Sequence, residues 1–339
     1  MLWTITPDNV PPLLTTGPIG DGAQVGIPGR LDTQVLYGSN QLADTLRSGA
    51  RFTAGFWLPG LDRLGVEVSY FFLGQGRSTF FADNNTNPIL MRPFINAQTG
   101  EANVIPTAYP VTANGFQQTT GSFRVLNTSD LWGIEANLRG KLWCGPCAWL
   151  DALVGYRHLD LTELLVIDDL ENGERFIDRF STRNNFNGGQ LGIEGQWNFA
   201  RRFTVTGTAK VALGNVNQVL GINGQSNVAF PPPAVQSGGF LALESNIASR
   251  EANRFAVMPN CGVKLGWNAT ENLRFFVGYE FLYLSNVIRV GEQVDPRINR
   301  NLIPGAASTS GSQPQQPAVL FRTNDFWAHG VNFGALYYW

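Results

Sequence analysis

Apolar and polar residues alternate with period two in long stretches of this chain, which predicts β-strands with two unlike faces. In residues 129–143, Trp132, Ile134, Ala136, Leu138 and Leu142 share one face, against Gly133, Glu135, Asn137, Arg139 and Lys141 on the other. In 190–199, Leu191, Ile193, Trp197 and Phe199 oppose Gln190, Gly192, Glu194, Gln196 and Asn198. In 202–213, Phe203, Val205, Ala209, Val211 and Leu213 oppose Arg202, Thr204, Thr206, Thr208 and Lys210. The pattern recurs at 51–58, 64–72, 255–267, 273–283 and 325–339. Residues 149–163 fit more loosely, because Leu153, Leu159 and Leu161 join the polar side with Asp151, Gly155 and Arg157.

Alternation alone fits a soluble sandwich equally well. The character of the faces separates the two: one is bulky and aromatic, the other Gly, Ser, Thr and charges of both signs. That division suits lipid outside and a polar lumen inside. Loop lengths point the same way. Strands at about 1–6, 50–58, 63–83, 121–143, 148–170, 175–199, 202–229, 246–267, 273–293 and 321–339 leave four short connections, at Pro59–Asp62, Cys144–Cys147, Ala200–Arg201 and Asn268–Asn272. The connections at about 7–49, 84–120, 230–245 and 294–320 are long and rich in Pro, Gly, Asn and Ser. Asn172-Gly173 is the exception, a tight type I′ turn signal on the long-loop side. Six of the nine Trp (Trp57, Trp143, Trp149, Trp197, Trp267 and Trp339) flank short turns or the C-terminus, as in an aromatic girdle.

The fold class expected is therefore all-β: a single-domain transmembrane antiparallel up-and-down barrel over 1–339, with short periplasmic turns and long extracellular loops. In hydrocarbon every backbone amide and carbonyl must be paired, which excludes an open sheet edge. The count is ten strands, or twelve if Thr33–Tyr37 belongs to an extra hairpin. Met1–Thr6 is too short to span, so closure there is the weak point. Strands near 20 residues exceed the ~9–11 that cross a bilayer, so the barrel should project on the long-loop side.

Composition agrees. Only 15% of residues are charged and the net charge is −2, which gives no reason to expect nucleic acid as a partner. No apolar run reaches the ~18 residues of a membrane helix. The N-terminus, MLWTITPDNV, carries no export signal, which is expected to have been removed or to lie outside this chain. Three Cys and two His are too few for a zinc site built from them alone. No metal and no cofactor is expected.

The polar face predicts the lumen lining: Arg51, Glu67, Glu135, Asn137, Arg139, Lys141, Asp151, Arg157, Glu194, Gln196, Lys210, Lys264, Arg274, Glu280 and Asn332. Seven basic and five acidic groups could pair into a plug or line a water-filled path. Ten to twelve strands sit near the closed end of the barrel size scale. Narrow or gated passage of small hydrophilic solutes or ions is the leading expectation. The alternative is a structural or interaction barrel that binds through its long loops.

Other features weigh less. Cys144-Gly145-Pro146-Cys147 matches a thioredoxin-type C-G-P-C, but no helix follows to depress a thiol pKa. A four-residue hairpin turn with a small Cys144–Cys147 disulfide is the expectation. His158 with Asp160, and His329 with Asp325, share parity with the lipid-facing residues and lack a nucleophile, so no enzyme is expected. The hairpin 166–178 carries Asp168, Asp169, Glu171, Glu174 and Asp178, a solvated tip in preference to a cation site. FPPPAV (230–235) suits a polyproline segment or a stiff exposed loop, and Cys261 shares the face of Val263 and Leu265.

The chain also resembles a known family, the planctomycete beta-barrel porins, family seven. The likeness is carried by PPLLTTGP (11–18), GARFTAGFWL (49–58), LGVEVSYFFLG (64–74), LWGIEANLR (131–139), LVGYRHLDL (153–161), KVALGN (210–215), RFAVMPNCGVKLGW (254–267), FFVGYEFLYLSNVIRVGEQVD (275–295) and FWAHGVNFGALYYW (326–339). It implies an outer-membrane location and brings no substrate. The partners expected are outer-membrane lipid, the barrel assembly machinery through the aromatic C-terminal strand Phe333–Trp339, and a homo-oligomer or envelope-complex partner.

Overall fold

The computed structural model describes residues 1–339 except 31, 40–45, 62, 201, 229–233 and 307–313. In chain order its strands are β1 Leu2–Ile5, β2 Leu14–Thr16, β3 Gln34–Tyr37, β4 Arg47–Trp57, β5 Leu64–Asp83, β6 Leu90–Asn96, β7 Ala102–Ala108 and β8 Gly121–Cys144. They continue as β9 Ala148–Glu171, β10 Glu174–Ala200, β11 Phe203–Val228, β12 Ala234–Ser237, β13 Ala248–Asn268, β14 Leu273–Val287, β15 Arg297–Ile298 and β16 Asn324–Tyr337.

Ten of these close an antiparallel ring in the order β1-β4-β5-β8-β9-β10-β11-β13-β14-β16 and back to β1. The ring count is the expected ten. Thr33–Tyr37 adds no barrel hairpin: β3 pairs with β2 in a separate sheet. Closure rests on β1, which pairs Leu2–Ile5 with Val331–Ala328 of β16 and only Leu2 and Trp3 with Ser48 and Arg47 of β4. Toward the short-turn end, among the described residues, no strand lies between 50–57 of β4 and 332–337 of β16.

The wall is uneven in height. β8 to β11 run 24 to 27 residues, while β4, β14 and β16 run 11 to 15. The long connections do not hang free. β2, β3, β6, β7 and β15 form a second, five-stranded sheet, with β6 and β15 parallel. Leu14, Leu90, Phe94 and Ala108 of that sheet pack on Phe123, Val125, Leu165, Ile167, Phe180, Leu220 and Ile222 from the inner face of the tall wall. The Asn172-Gly173 tip holds positive φ at both residues (49° and 87°), as a type I′ turn requires.

Outward residues divide by height. Along β8, Trp143, Leu142, Leu138, Ile134 and Trp132 face out, followed by Asp130, Thr128 and Arg124. Along β9, Val154 and Tyr156 give way to His158, Asp160 and Thr162. From Trp143 to Trp132, at ~3.3 Å per residue and a tilt of ~40°, the apolar band is about 25 Å tall. That is the height of a membrane-spanning barrel's lipid face.

Candidate functional site: the barrel interior

The inward face is layered. At the short-turn end lies a charged layer whose members the alternation had placed together. Arg139 of β8 reaches three carboxylates: Glu67 at 2.6 Å, Asp151 at 3.0 Å and Glu194 at 2.6 Å. These come from β5, β9 and β10, so one guanidinium ties together four strands. Thr208 donates to Glu194 at 2.9 Å. The next tier is built on Glu135, which takes Lys210 at 2.6 Å and Arg157 at 3.6 Å. Arg157 donates to Gln190 and Asn260, and Gln190 donates to Asn137 at 2.8 Å. Glu280 accepts from Arg51, Asn260 and Asn332, and the Trp3 indole N–H donates to Asn332 at 2.7 Å. At the mouth, Arg274 donates to Gln196 and to Asn268. The Lys141 ammonium stands 4.1 Å from the Trp57 ring centroid, and that of Lys264 5.6 Å from Phe276. All fifteen predicted lining residues therefore sit on the inward face at this end.

Besides Thr208 and Asn268, further members lie outside the predicted set. Gln190 and Asn260 share the parity of the others, so the alternation held them. Ser69 likewise shares the parity of Glu67 in β5, and only Trp3, in a strand of four residues, carried no pattern.

Directly above is a belt of apolar residues. Trp3, Phe71, Leu131, Leu159, Leu161, Phe186, Met258, Leu282 and Phe326 point inward and are 0–5% exposed. Where the charged layer meets the belt, Arg51, Ser69, Phe71, Glu135 and Arg157 crowd together, with the Arg51 guanidinium 5.3 Å from the Phe71 ring centroid.

Above the belt the loops are fastened to the wall by buried charge. Arg289, beyond β14, forms a forked contact with Glu163 of β9 at 2.8–3.0 Å and donates to the Thr6 carbonyl. Asn184 of β10 exchanges two hydrogen bonds with the backbone of Ile288. Asp8 accepts from the Gly291 N–H at 2.7 Å; burial, beside Glu163, pushes its carboxyl up to about 7. Higher still, Arg92 of β6 bridges Asp169 and Asp178, both at 3.2 Å, with its guanidinium 3.9 Å from the Phe240 ring centroid. Asp178 also accepts the three successive N–H groups of Phe240, Leu241 and Ala242. No periodicity marks Arg92 or Arg289, because both sit in the long connections.

Several expectations need correction. The interior is not polar throughout its height. Trp57 and Trp149 are not girdle residues: both have inward parity at the mouth, Trp57 beside Lys141 and Trp149 with the Arg139 guanidinium 5.6 Å from its ring. Trp143, Trp197 and Trp267 do face out, with Trp197 against Phe199 and Trp267 stacked on Phe275. Trp143 gets there through a bulge after Lys141, which turns both Leu142 and Trp143 outward. Trp339 lies exposed beyond β16. Cys144 and Cys147 are free, exposed thiols. The turn closes one residue later than a disulfide there would need: Gly145 donates to Ala148 at 2.8 Å, and Cys144 is registered against Trp149. Cys261 is likewise free and exposed.

His158 and His329 face outward among aromatic rings, bonded to Asn187 and to Tyr279 and Thr4. Asp160 pairs with Arg183 and does not contact His158. The acidic hairpin splits between faces, Asp168 outward to Arg175 and Asp169 inward to Arg92. Among the described residues no cluster of three metal-ligating side chains occurs. Most of the Pro-rich stretch 230–235 lies outside the described residues.

No curated protein matches the chain. Among solved structures, it is similar to the crystal structure of outer membrane protease OmpT from Escherichia coli, at 10% identity and a TM-score of 0.40, covering 99% of this chain and 95% of that one. The family model described as "Putative beta barrel porin-7 (BBP7)" matches residues 1–339, so a ten-stranded barrel with a lipid-facing band belongs to that family of outer-membrane β-barrels.

Proposed function

We propose that the resting form is a closed, plugged outer-membrane barrel, which anchors in the bilayer and presents its long-loop face to partners in the cell envelope. The apolar belt carries this reading. Side chains from both halves of the ring meet there with almost no exposure. Such a layer excludes water from a path of this width, whatever charge lies below it. The aromatic strand β16, one of the two edges that β1 joins, suits docking on barrel assembly machinery.

The charged layer favours a second reading, a gated path for small hydrophilic solutes or ions that opens only when the belt moves. Lys141, Lys264 and Arg274 at the mouth would give it a weak anion preference. Reconstitution in planar bilayers distinguishes the two. Stable, silent insertion across the physiological voltage range is the expected result. Discrete conductance steps from the unmodified chain would overturn the closed reading. If steps occur, reversing charge at Lys141 and Arg139 should shift ion selectivity.

A further inference from the structure

We propose that the outer face of β9, β10, β11 and β13, at the upper edge of the apolar band, binds the hydroxyl-rich headgroup of a glycolipid whose acyl chains lie on the band below. The register there aligns two cross-strand rows. One contains Asp160, Asn185, Asn217 and Asn253. The row beneath it contains His158, Asn187, Asn215 and Phe255. The row beneath that is Tyr156, Gly189, Leu213 and Val257, where the lipid face begins.

Asparagine is depleted in strands, and five of them side by side on an exposed sheet contribute nothing to a core. They form amide ladders instead. Asn187 donates to Asn185 at 2.6 Å, and Asn185 to Asp160 at 3.0 Å. Asn215 donates to Asn253 at 2.8 Å, and Asn217 to both Glu251 and Asn253. The ladder orients each amide, and the side-chain carbonyls of Asn215 and Asn217 accept no hydrogen bond among the described residues. An amide offers donors and an acceptor within a few ångströms, which matches a hydroxyl array.

Charge points away from a phosphate head. Asp160 is neutralised by Arg183 at 2.8 Å, and Glu251 adds a negative charge beside Asn217. Shape contributes as well. Gly189 is exposed and has open space where a Cβ would be, so the wall dips between the half-exposed Tyr156 and Leu213. The surface is continuous with the apolar band, which places an amphiphile's polar–apolar junction at this level.

The test uses the full chain in detergent, exposed to a galactosyl diacylglycerol, to phosphatidylglycerol with the same acyl chains, and to free methyl galactoside, with retained ligand counted by native mass spectrometry. The galactolipid should be retained about tenfold more than the phospholipid. Asn187→Ala/Asn215→Ala/Asn217→Ala should cancel that preference, with Asn215→Ala alone as the milder variant if the triple one misfolds. Neither should change phospholipid retention or thermal unfolding. Equal retention of the two lipids, or an unchanged preference in a folded variant, would overturn the assignment. So would binding of free methyl galactoside as strong as that of the galactolipid, since the acyl chains would then add nothing.

Discussion

Below the aromatic boundary the wall is polar inside and apolar outside; above it the same strands are apolar inside and polar outside. On β10 the inward positions read Gln196, Glu194 and Gln190 low down; higher up Phe186, Phe180 and Phe176 take over, with Asn184 and Asp178 between them bonded to the backbone of the inner loops. The outward positions read Trp197, Ile193 and Leu191, then Asn187, Asn185 and Arg183. The backbone ladder does not change; the solvent does. Where lipid lies outside, the apolar residues go out and the charges pair within. Where water lies outside, the strand behaves as in a soluble sheet and buries its apolar face on whatever fills the interior. The second sheet is that filling.

This contrast can be attacked most strongly at the buried ion pairs of the upper half. Arg92→Ala would leave Asp169 and Asp178 buried without their cation. The expected loss is at the top of the ~3–5 kcal/mol range for such a deletion, read as a lower denaturation midpoint in detergent. An unchanged midpoint would mean that the plug sheet contributes little to stability. Phe186→Ala in the belt should cost roughly 3–4 kcal/mol through the cavity it opens. If the cavity hydrates, this variant should also show brief conductance, and silence after plug and belt are both weakened would argue against any path. Arg139→Ala in the charged layer should cost less, about 2 kcal/mol, because Glu67 and Glu194 keep 14–16% of their side chains exposed and only Asp151 is fully enclosed.

The acid dependence of Asp8 sharpens the comparison within the loops. Its carboxyl titrates near 7 in the folded chain against 3.8 for an ordinary Asp. The folded state holds the proton more tightly, so this contribution is complete below about pH 4 and is lost as pH rises through about 7. Protection against hydrogen exchange over 6–13 and 288–294, taken relative to the intrinsic amide rate at each pH, should be greater at pH 5 than at pH 8, and Asp8→Asn should flatten the difference. The smallest effect belongs to Arg175, whose ion pair with Asp168 is short (2.6 Å) but whose side chain is 54% exposed. Arg175→Ala should cost under about 1 kcal/mol by the same denaturation measurement. Asp168 and Asp169 are chain neighbours, so a large gap between the Arg92 and Arg175 variants would measure what the wall separates.

Much of this was legible in the chain. Period-two alternation marked nine of the ten ring strands, all but the four-residue β1, and parity put Arg139 with Glu67, Asp151 and Glu194. The height at which polarity inverts was also written there. Leu159 and Leu161, which spoil the alternation of β9, mark the level where water replaces lipid outside. The plug was not legible, because its strands are two to seven residues long and pair across as many as 202 positions, as Ile95 does with Arg297. Nor was Arg92, whose partners lie 77 and 86 residues away. The two misplaced tryptophans show the limit of a composition argument: Trp57 and Trp149 flank short turns as girdle residues do, and only their parity turns them inward.

The ring is closed by its shortest member. Leu2 meets Val331, 329 positions away, through a strand that offers four pairs to one neighbour and two to the other. The other joints pair strands that follow one another around the ring, through tight turns or across the long connections, whereas this one must bring together the two ends of an otherwise finished sheet. Its span is the longest in the ring and its return is only four residue pairs. The joint is accordingly the final event of folding, and the first to part when the barrel is pulled or heated.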